Sequence, residues 1–425
     1  MSVTTDQQAE FERASSSVFV QEDLAQDRAA LGRLVASRQQ EYLSTATPEA
    51  IRNFAHSYGD DNPLFCDPGH GETSRWGEQI APPIMAAVLN APLLGDKDPL
   101  AKGGSYRGIH AFVSGGTWTW YRPVRPGDTL YSLSGLESVE TKQSEFAGSS
   151  VIRVLRDIKV NQRAEVVGVY RTLVIYTERK KAREKGKYAE IPVPSWDDAQ
   201  LAALDETYAA ETRQGRARLM WEDVEVGQAM GAKAKGPLTT TDMIIFHAGG
   251  YGFVPYGLKT GRRGWENRQR IPAFYVKNEY GVPDVAQRVH WDNAWAQAIG
   301  NPRAYDYGVL RECWLHHFLT DWAGDDGWVE RQHDEIRKFN YHGDAQVLGG
   351  EVTGKRVEDG RALVDVAVWA RNQRDEETAR GTATIALPSR EHGLPVLPAV
   401  PAELSRAATQ VMARHGELLR ERRSR

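Results

Sequence analysis

A short pattern recurs in this chain at matched internal spacing, and that recurrence restricts the fold more than any other feature. In the first half, Thr47 opens an amphipathic run and Gly59 follows twelve positions later; Asn62-Pro63-Leu64-Phe65-Cys66-Asp67 and Ala81-Pro82-Pro83 come next. In the second half, Thr240 opens a similar run and Gly252 again lies twelve positions on; Gln287-Arg288-Val289-His290-Trp291-Asp292 and Tyr307-Gly308 follow. Phe65 and Pro83 stand eighteen residues apart, and so do His290 and Gly308. Two matched spacings imply a duplicated fold in which only the second copy keeps groups able to do chemistry.

A repeat of whole domains suits the length, since 425 residues exceed one ordinary core and fit two domains of roughly 150 to 200 residues. The 41% hydrophobic and 26% charged content is that of a soluble globular chain, with no apolar run near the roughly 20 residues a membrane span needs. Met1 to Glu10 is polar and acidic, unlike a secretory signal, and two cysteines, Cys66 and Cys313, do not make a disulfide framework, so a cytoplasmic location is expected. A net charge of −4 provides no global field for nucleic acid, and the arginine-rich C-terminus reads as a solvated tail.

Thr47 with Pro48 caps a helix whose apolar positions Ile51, Phe54 and Ala55 recur at helical spacing until Gly59. Ile84 to Leu94 is apolar on most faces and predicts a buried central helix. Strands are expected over 116–121, 129–136, 149–160 and 166–176, giving helix-first α+β order with an antiparallel sheet. The second half repeats this order: helices over 240–248 and 308–322, then strands over 345–354, 362–372 and 381–387. The expected divisions are a first domain over 15–180, a linker over 181–216, a second domain over 217–390 with an insertion at about 254–286, and a C-terminal helical tail over 391–425.

Tyr58-Gly59-Asp60-Asp61-Asn62-Pro63-Leu64-Phe65-Cys66-Asp67 with Ile80-Ala81-Pro82-Pro83 resembles the non-catalytic half of double hot-dog acyl-thioester hydratases and dehydratases of the MaoC type. Trp221 to Gly227, Thr239-Thr240-Thr241-Asp242, Arg288 to Asp292 and Asp321-Trp322-Ala323-Gly324 resemble the catalytic half, so the resemblance spans about residues 15 to 390. It implies an α+β double hot-dog: two tandem domains, each a long helix wrapped by an antiparallel sheet. It also implies addition or removal of water at a trans-2-enoyl thioester of coenzyme A or acyl carrier protein, with no cofactor and no metal.

Such chemistry needs proton carriers and a donor aimed at the thioester oxygen. In the family an Asp and a His of an Asp-x-Asn-Pro-x-His motif move protons, and a backbone N–H eighteen residues after the His meets the oxyanion. The first half keeps Asp60 and Asn62, but Phe65 stands where His is needed and Pro83 has no N–H to donate. It is expected to be silent and to hold the acyl tail. The second half keeps His290 and Gly308, the latter opening a helix where free N–H groups favour an anion. Read singly, His290 is an ordinary half-buried histidine and Gly308 a turn glycine; the repeat spacing favours the chemical reading.

The second half departs from the pattern at the acid. Gly252 is followed by Phe253 and reaches His290 only after thirty-eight residues, so the base must come from elsewhere. Among Glu266, Glu279 and Asp284 of the insertion, Asp284 lies six residues before His290 and is the expected carboxylate, with Asp292 and His247 as alternatives. Tyr307, Trp291, Asp292, Gly252, Tyr256, Arg263 and Arg268 are expected to contact substrate. The basic and aromatic insertion reads equally as a lid over coenzyme A and acyl group or as a solvated loop. Glu312 and His316-His317 on the central helix lack a third ligand at metal spacing. Two other functions remain open, an acyl-CoA thioesterase and a non-catalytic acyl-binding subunit, as does a homodimer of such chains.

Overall fold

The computed structural model describes residues 21–106, 109–144, 148–177, 191–252, 260–299 and 301–424. Twelve strands are described: β1 (Leu34–Ala36), β2 (His110–Trp120), β3 (Leu130–Ser144), β4 (Gly148–Asn161), β5 (Val166–Thr177), β6 (Ala229–Lys235), β7 (Tyr275–Lys277), β8 (Pro283–Val285), β9 (Trp328–Ile336), β10 (Gln346–Glu358), β11 (Arg361–Asn372) and β12 (Glu377–Ala386). Ten form one antiparallel sheet in the order β1-β3-β4-β5-β2-β9-β12-β11-β10-β6, and β7 and β8 pair separately. Each half supplies five consecutive members of the large sheet, and the halves join where β2 pairs with β9, from Gly115↔Glu335 to Thr119↔Arg331. The seam is close: a Cβ on Gly115, whose φ is +127°, would stand 1.9 Å from the Asp334 carbonyl oxygen. The chain is thus an α+β double hot-dog.

The expected repeat is visible in local geometry. The Thr47 hydroxyl accepts the Ala50 N–H at 3.2 Å and starts the helix Pro48–Ser57, which buries Ile51, Phe54 and Ala55; a large apolar side chain such as Ile51 or Phe54 contributes about 1.5–3 kcal/mol on burial. The turn entering β3 is closed by Asp128, whose carboxylate accepts the Arg125 N–H at 2.9 Å; the turn entering β10 is closed likewise by Asp344, accepting the Tyr341 N–H at 3.2 Å. Gly127 at φ +88° and Gly343 at φ +87° take the same left-handed conformation in the two turns, which a side chain would strain.

The central helix of the second half, Gly308–Ala323, is buried on nearly every face, including Leu310, Leu315, Phe318 and Leu319. Val364, Val366, Leu348 and Ile385 of its own half-sheet wrap it, and one apolar cluster runs from these residues to Ile51 and Phe54. The first half corrects the expectation for residues 84–94. Only a 3-10 turn forms, Pro83–Ala87, after which the chain runs extended; Asn90 and Ala91 donate N–H groups to the Leu43 and Leu130 carbonyls. Pro92 explains the difference, since it would delete one helical N–H and clash with the preceding turn.

Residues 181–190 of the expected linker lie outside the described residues, while 191–216 carry a helix, Asp198–Ala209, started by an Asp197/Gln200 capping box. The C-terminal helix, Ala402–Arg423, returns to the first half, where Ala408 packs on Leu133, Ile158 and Val166. His415 Nδ1 there accepts the Leu94 N–H at 2.9 Å, anchoring the extended strap. Among the described residues no helix is long and apolar enough to cross a membrane.

Candidate active site

His290 and Gly308 line the same cavity, of about 740 Å³. His290 ends a short 3-10 turn, Ala286–His290, and its Nδ1 lies 2.8 Å from the Tyr305 carbonyl oxygen. A carbonyl only accepts, so Nδ1 carries the proton and Nε2 is the basic nitrogen. Burial pushes the imidazole down to about 4, which keeps it neutral near pH 7. The Tyr307 ring lies over it at a centroid distance of 3.8 Å, and the Tyr307 hydroxyl is 3.1 Å from His247 Nε2.

Gly308 is the first residue of the central helix, and Tyr307 before it makes no side-chain cap. Its N–H is one of the helix's unpaired donors, at the positive end of the dipole. Nothing in the fold itself demands glycine here: a Cβ would meet nothing nearer than the Val113 carbonyl oxygen at 3.6 Å. The cavity wall adds Tyr251, Tyr305 and Phe339 from the second half and Phe112 and Val113 from the first, so both halves shape it.

The other expected site residues are placed less uniformly. Tyr307 is in the cavity wall, whereas Asp284 sits on the β7–β8 hairpin, accepting from Asn278 Nδ2 at 3.2 Å and from the Val285 N–H at 2.9 Å, and is not among the lining residues. Asp292 caps the helix Asn293–Ala298 through the Trp295 N–H at 2.9 Å and pairs with Arg288 at 3.2 Å, a supporting role. Trp291 packs edge-on against His247 with centroids 5.5 Å apart. Gly252 abuts the Tyr42 ring, 2.8 Å from where its Cβ would be, and its neighbour Tyr251 is the one in the wall. Arg263 and Arg268 lie on the helix Gly261–Arg270, outside the cavity lining, and Arg263 is exposed. Tyr256 and Phe253 lie outside the described residues.

Asp306, Tyr305 and the basic residues Arg337, Lys338 and Arg374 also line the cavity, although the motif spacing points to none of them. Asp306 had a signal: the eighteen-residue match between Pro83 and Gly308, carried back two positions, pairs it with Ala81, so the second half alone carries a carboxyl there. Tyr305 acts through its carbonyl, which no side-chain pattern reveals.

The acid kept by the first half is a strut between halves. Asp60 is fully buried, accepts the Asn62 N–H at 2.9 Å and the Tyr58 hydroxyl at 3.1 Å, and lies 3.5 Å from His317 Nε2 on the central helix. Lys235 donates to His317 Nδ1 at 2.9 Å and to the Tyr58 and Gly59 carbonyls at 3.0 Å. Asp60, His317 and Asp321 are close enough to hold a metal ion. With Lys233 Nζ 2.9 Å from Asp321 and the Lys235 amine on His317, however, the positive charge is already supplied.

A cavity between tandem hot-dog halves, with a neutral histidine beside a helix N-terminus, defines the class by its fold: a double hot-dog protein. Residues 37–170 match the family model described as FAS1-like, dehydratase domain region. A UPF0336 protein of Streptomyces avermitilis is 30% identical over 128 residues, covering 30% of this chain and 81% of the relative. One from Thermobifida fusca is 25% identical over 127 residues, covering 29% and 79%. Among solved structures, a MaoC-like dehydratase superposes with a TM-score of 0.54 at 15% identity, covering 85% of this chain and 99% of that one, a likeness of fold. The chain belongs to the family of these UPF0336 proteins and shares its fold with a MaoC-like dehydratase.

Proposed function

We propose that this protein adds water to, or removes it from, a 2-enoyl/3-hydroxyacyl thioester, with coenzyme A or an acyl carrier protein as the thiol carrier. The observation that carries this reading is His290, with its proton on Nδ1, lining one cavity with the unpaired N–H end of the Gly308–Ala323 helix. In the hydration direction, the oxygen of water bonds to C3 while its proton passes to His290 Nε2. The C2=C3 π electrons move onto the thioester oxygen, and the Gly308 N–H stabilises that charge. Return of the electrons as C2 takes the proton from the imidazolium restores the thioester. Dehydration is the same path reversed.

Glycine at 308, which the fold does not require, leaves room for a thioester to approach the N–H. Arg337, Lys338 and Arg374 in the cavity lining suit a phosphate-bearing carrier. The aromatic wall of Tyr251, Tyr305 and Phe339 suits an apolar acyl group. The test is a panel of enoyl- and 3-hydroxyacyl-CoA thioesters followed by the absorbance of the conjugated thioester. Turnover with the thioester intact supports the reading; release of free thiol without change at the double bond overturns it in favour of a thioesterase.

A further inference from the structure

The segment Tyr305 to Gly308 carries three parts of the site: the carbonyl that takes the His290 Nδ1–H at 2.8 Å, the ring 3.8 Å from the imidazole, and the Gly308 N–H. Asp306 stands within it, 1% exposed. Its Oδ2 accepts from Asn340 Nδ2 at 3.0 Å and lies 3.0 Å from Arg311 Nε, while its N–H donates to the Asn340 carbonyl at 3.0 Å. Arg311 is fixed in turn by donating to the Lys338 and Thr378 carbonyls at 2.6 and 3.0 Å. The segment is therefore tied both to the turn after β9 and to the first turn of the central helix.

Such a group is expensive to bury. Desolvation pushes the Asp306 carboxyl up to about 6 against the pull of Arg311, and Oδ1 has no hydrogen-bond partner. Replacing a buried ion pair by apolar side chains is often neutral or stabilising, and the first half has Ala81 at this position. A costly carboxylate present only in the half with His290 and Gly308 points to the site rather than to the fold.

We propose that Asp306 is a positioning residue: with Arg311 and Asn340 it holds the Tyr305 carbonyl and the Gly308 N–H in register, so that His290 keeps its proton on Nδ1. This rests on the hydratase reading above for its kinetic consequence, but not for its structural one. Asp306 acts through the backbone on either side of it.

The test is Asp306→Asn, which keeps an oxygen for Asn340 but removes the charge. The expected result is a fall in kcat on the order of 10- to 100-fold with KM changed by less than about threefold. The ¹⁵N spectrum of His290 should show mixed tautomers where the unaltered protein shows Nδ1–H alone. Because Arg311 would be left buried without its counter-charge, Asn340→Ser is the second variant: it keeps the ion pair and should shift both readouts the same way, by roughly 3- to 10-fold in kcat. A single Nδ1–H tautomer with unchanged kcat in the folded variants overturns the proposal. If the unaltered protein hydrates no thioester, the functional reading fails, and the tautomer spectrum still decides the role of Asp306.

Discussion

His290 donates its Nδ1–H to the Tyr305 carbonyl at 2.8 Å, fifteen residues along the chain, and this bond makes Nε2 the nitrogen that can take a proton. Replacing His290 by Gln should retain the fold and lower kcat/KM by about 10²- to 10⁴-fold, the usual worth of a general acid–base group. The readout is the conjugated-thioester absorbance. Asp284→Asn, on the hairpin, should change activity by less than about twofold, as substitutions away from a site do. An equal loss in both variants would return the missing base to the insertion.

Gly308→Pro imitates the first half, where Pro83 holds the equivalent position. Proline is accepted at the first helical position, so the melting temperature should barely move, yet the N–H is lost and kcat should fall by about 10²- to 10³-fold. Gly308→Ala keeps the N–H and has room within the fold; its cost should appear only in the presence of substrate. Thermal melts beside kinetics on both variants separate the two effects.

Asp321 pairs with Lys233, Arg213 and His317 and accepts from Asn62 Nδ2 of the first half at 3.4 Å. Burial works to raise its carboxyl, but the His317 hydrogen bond and the charges of His317, Lys233 and Arg213 hold it well below the usual carboxylate range. A lowered folded-state value means stability fully present above the unfolded value near 4 and lost as pH falls from there through the folded one. Asp321→Asn should thus cost about 3–5 kcal/mol at pH 7, as breaking a buried pair does. Urea unfolding should show that difference shrinking as pH falls through about 4 and toward 3.

Restoring the missing groups of the first half, Phe65→His with Pro83→Gly, should not create a second site. The helix whose N-terminus would carry the charge is absent there, the chain running extended beyond Ala87. In a His290→Gln background the double variant should leave activity at the reduced level. Recovery of turnover would show that a helix is not needed to stabilise the oxyanion.

The duplicated α+β order was legible because it rests on local patterns: caps such as Thr47, β-branched enrichment in β4 and β5, alternation in β11, and paired turn glycines. The helix expected over 84–94 failed where apolar pattern and proline chemistry conflicted, and Pro92 decided it. The motif's usual spacing looks for the carboxyl a few residues before His290, which selects Asp284. The structure instead lines the cavity with Asp306, which follows His290 in the chain and stands two positions before Gly308.

By itself the chain determined where the two copies differ, because Phe65 and Pro83 lack the proton and the N–H that His290 and Gly308 possess, whatever the fold around them. Only the tertiary structure decided which nitrogen of His290 is basic, which carboxyls share its cavity and what Asp60 does. Those depend on a carbonyl, a desolvated pocket and a helix from the other half, all brought together by packing across residues far apart in sequence.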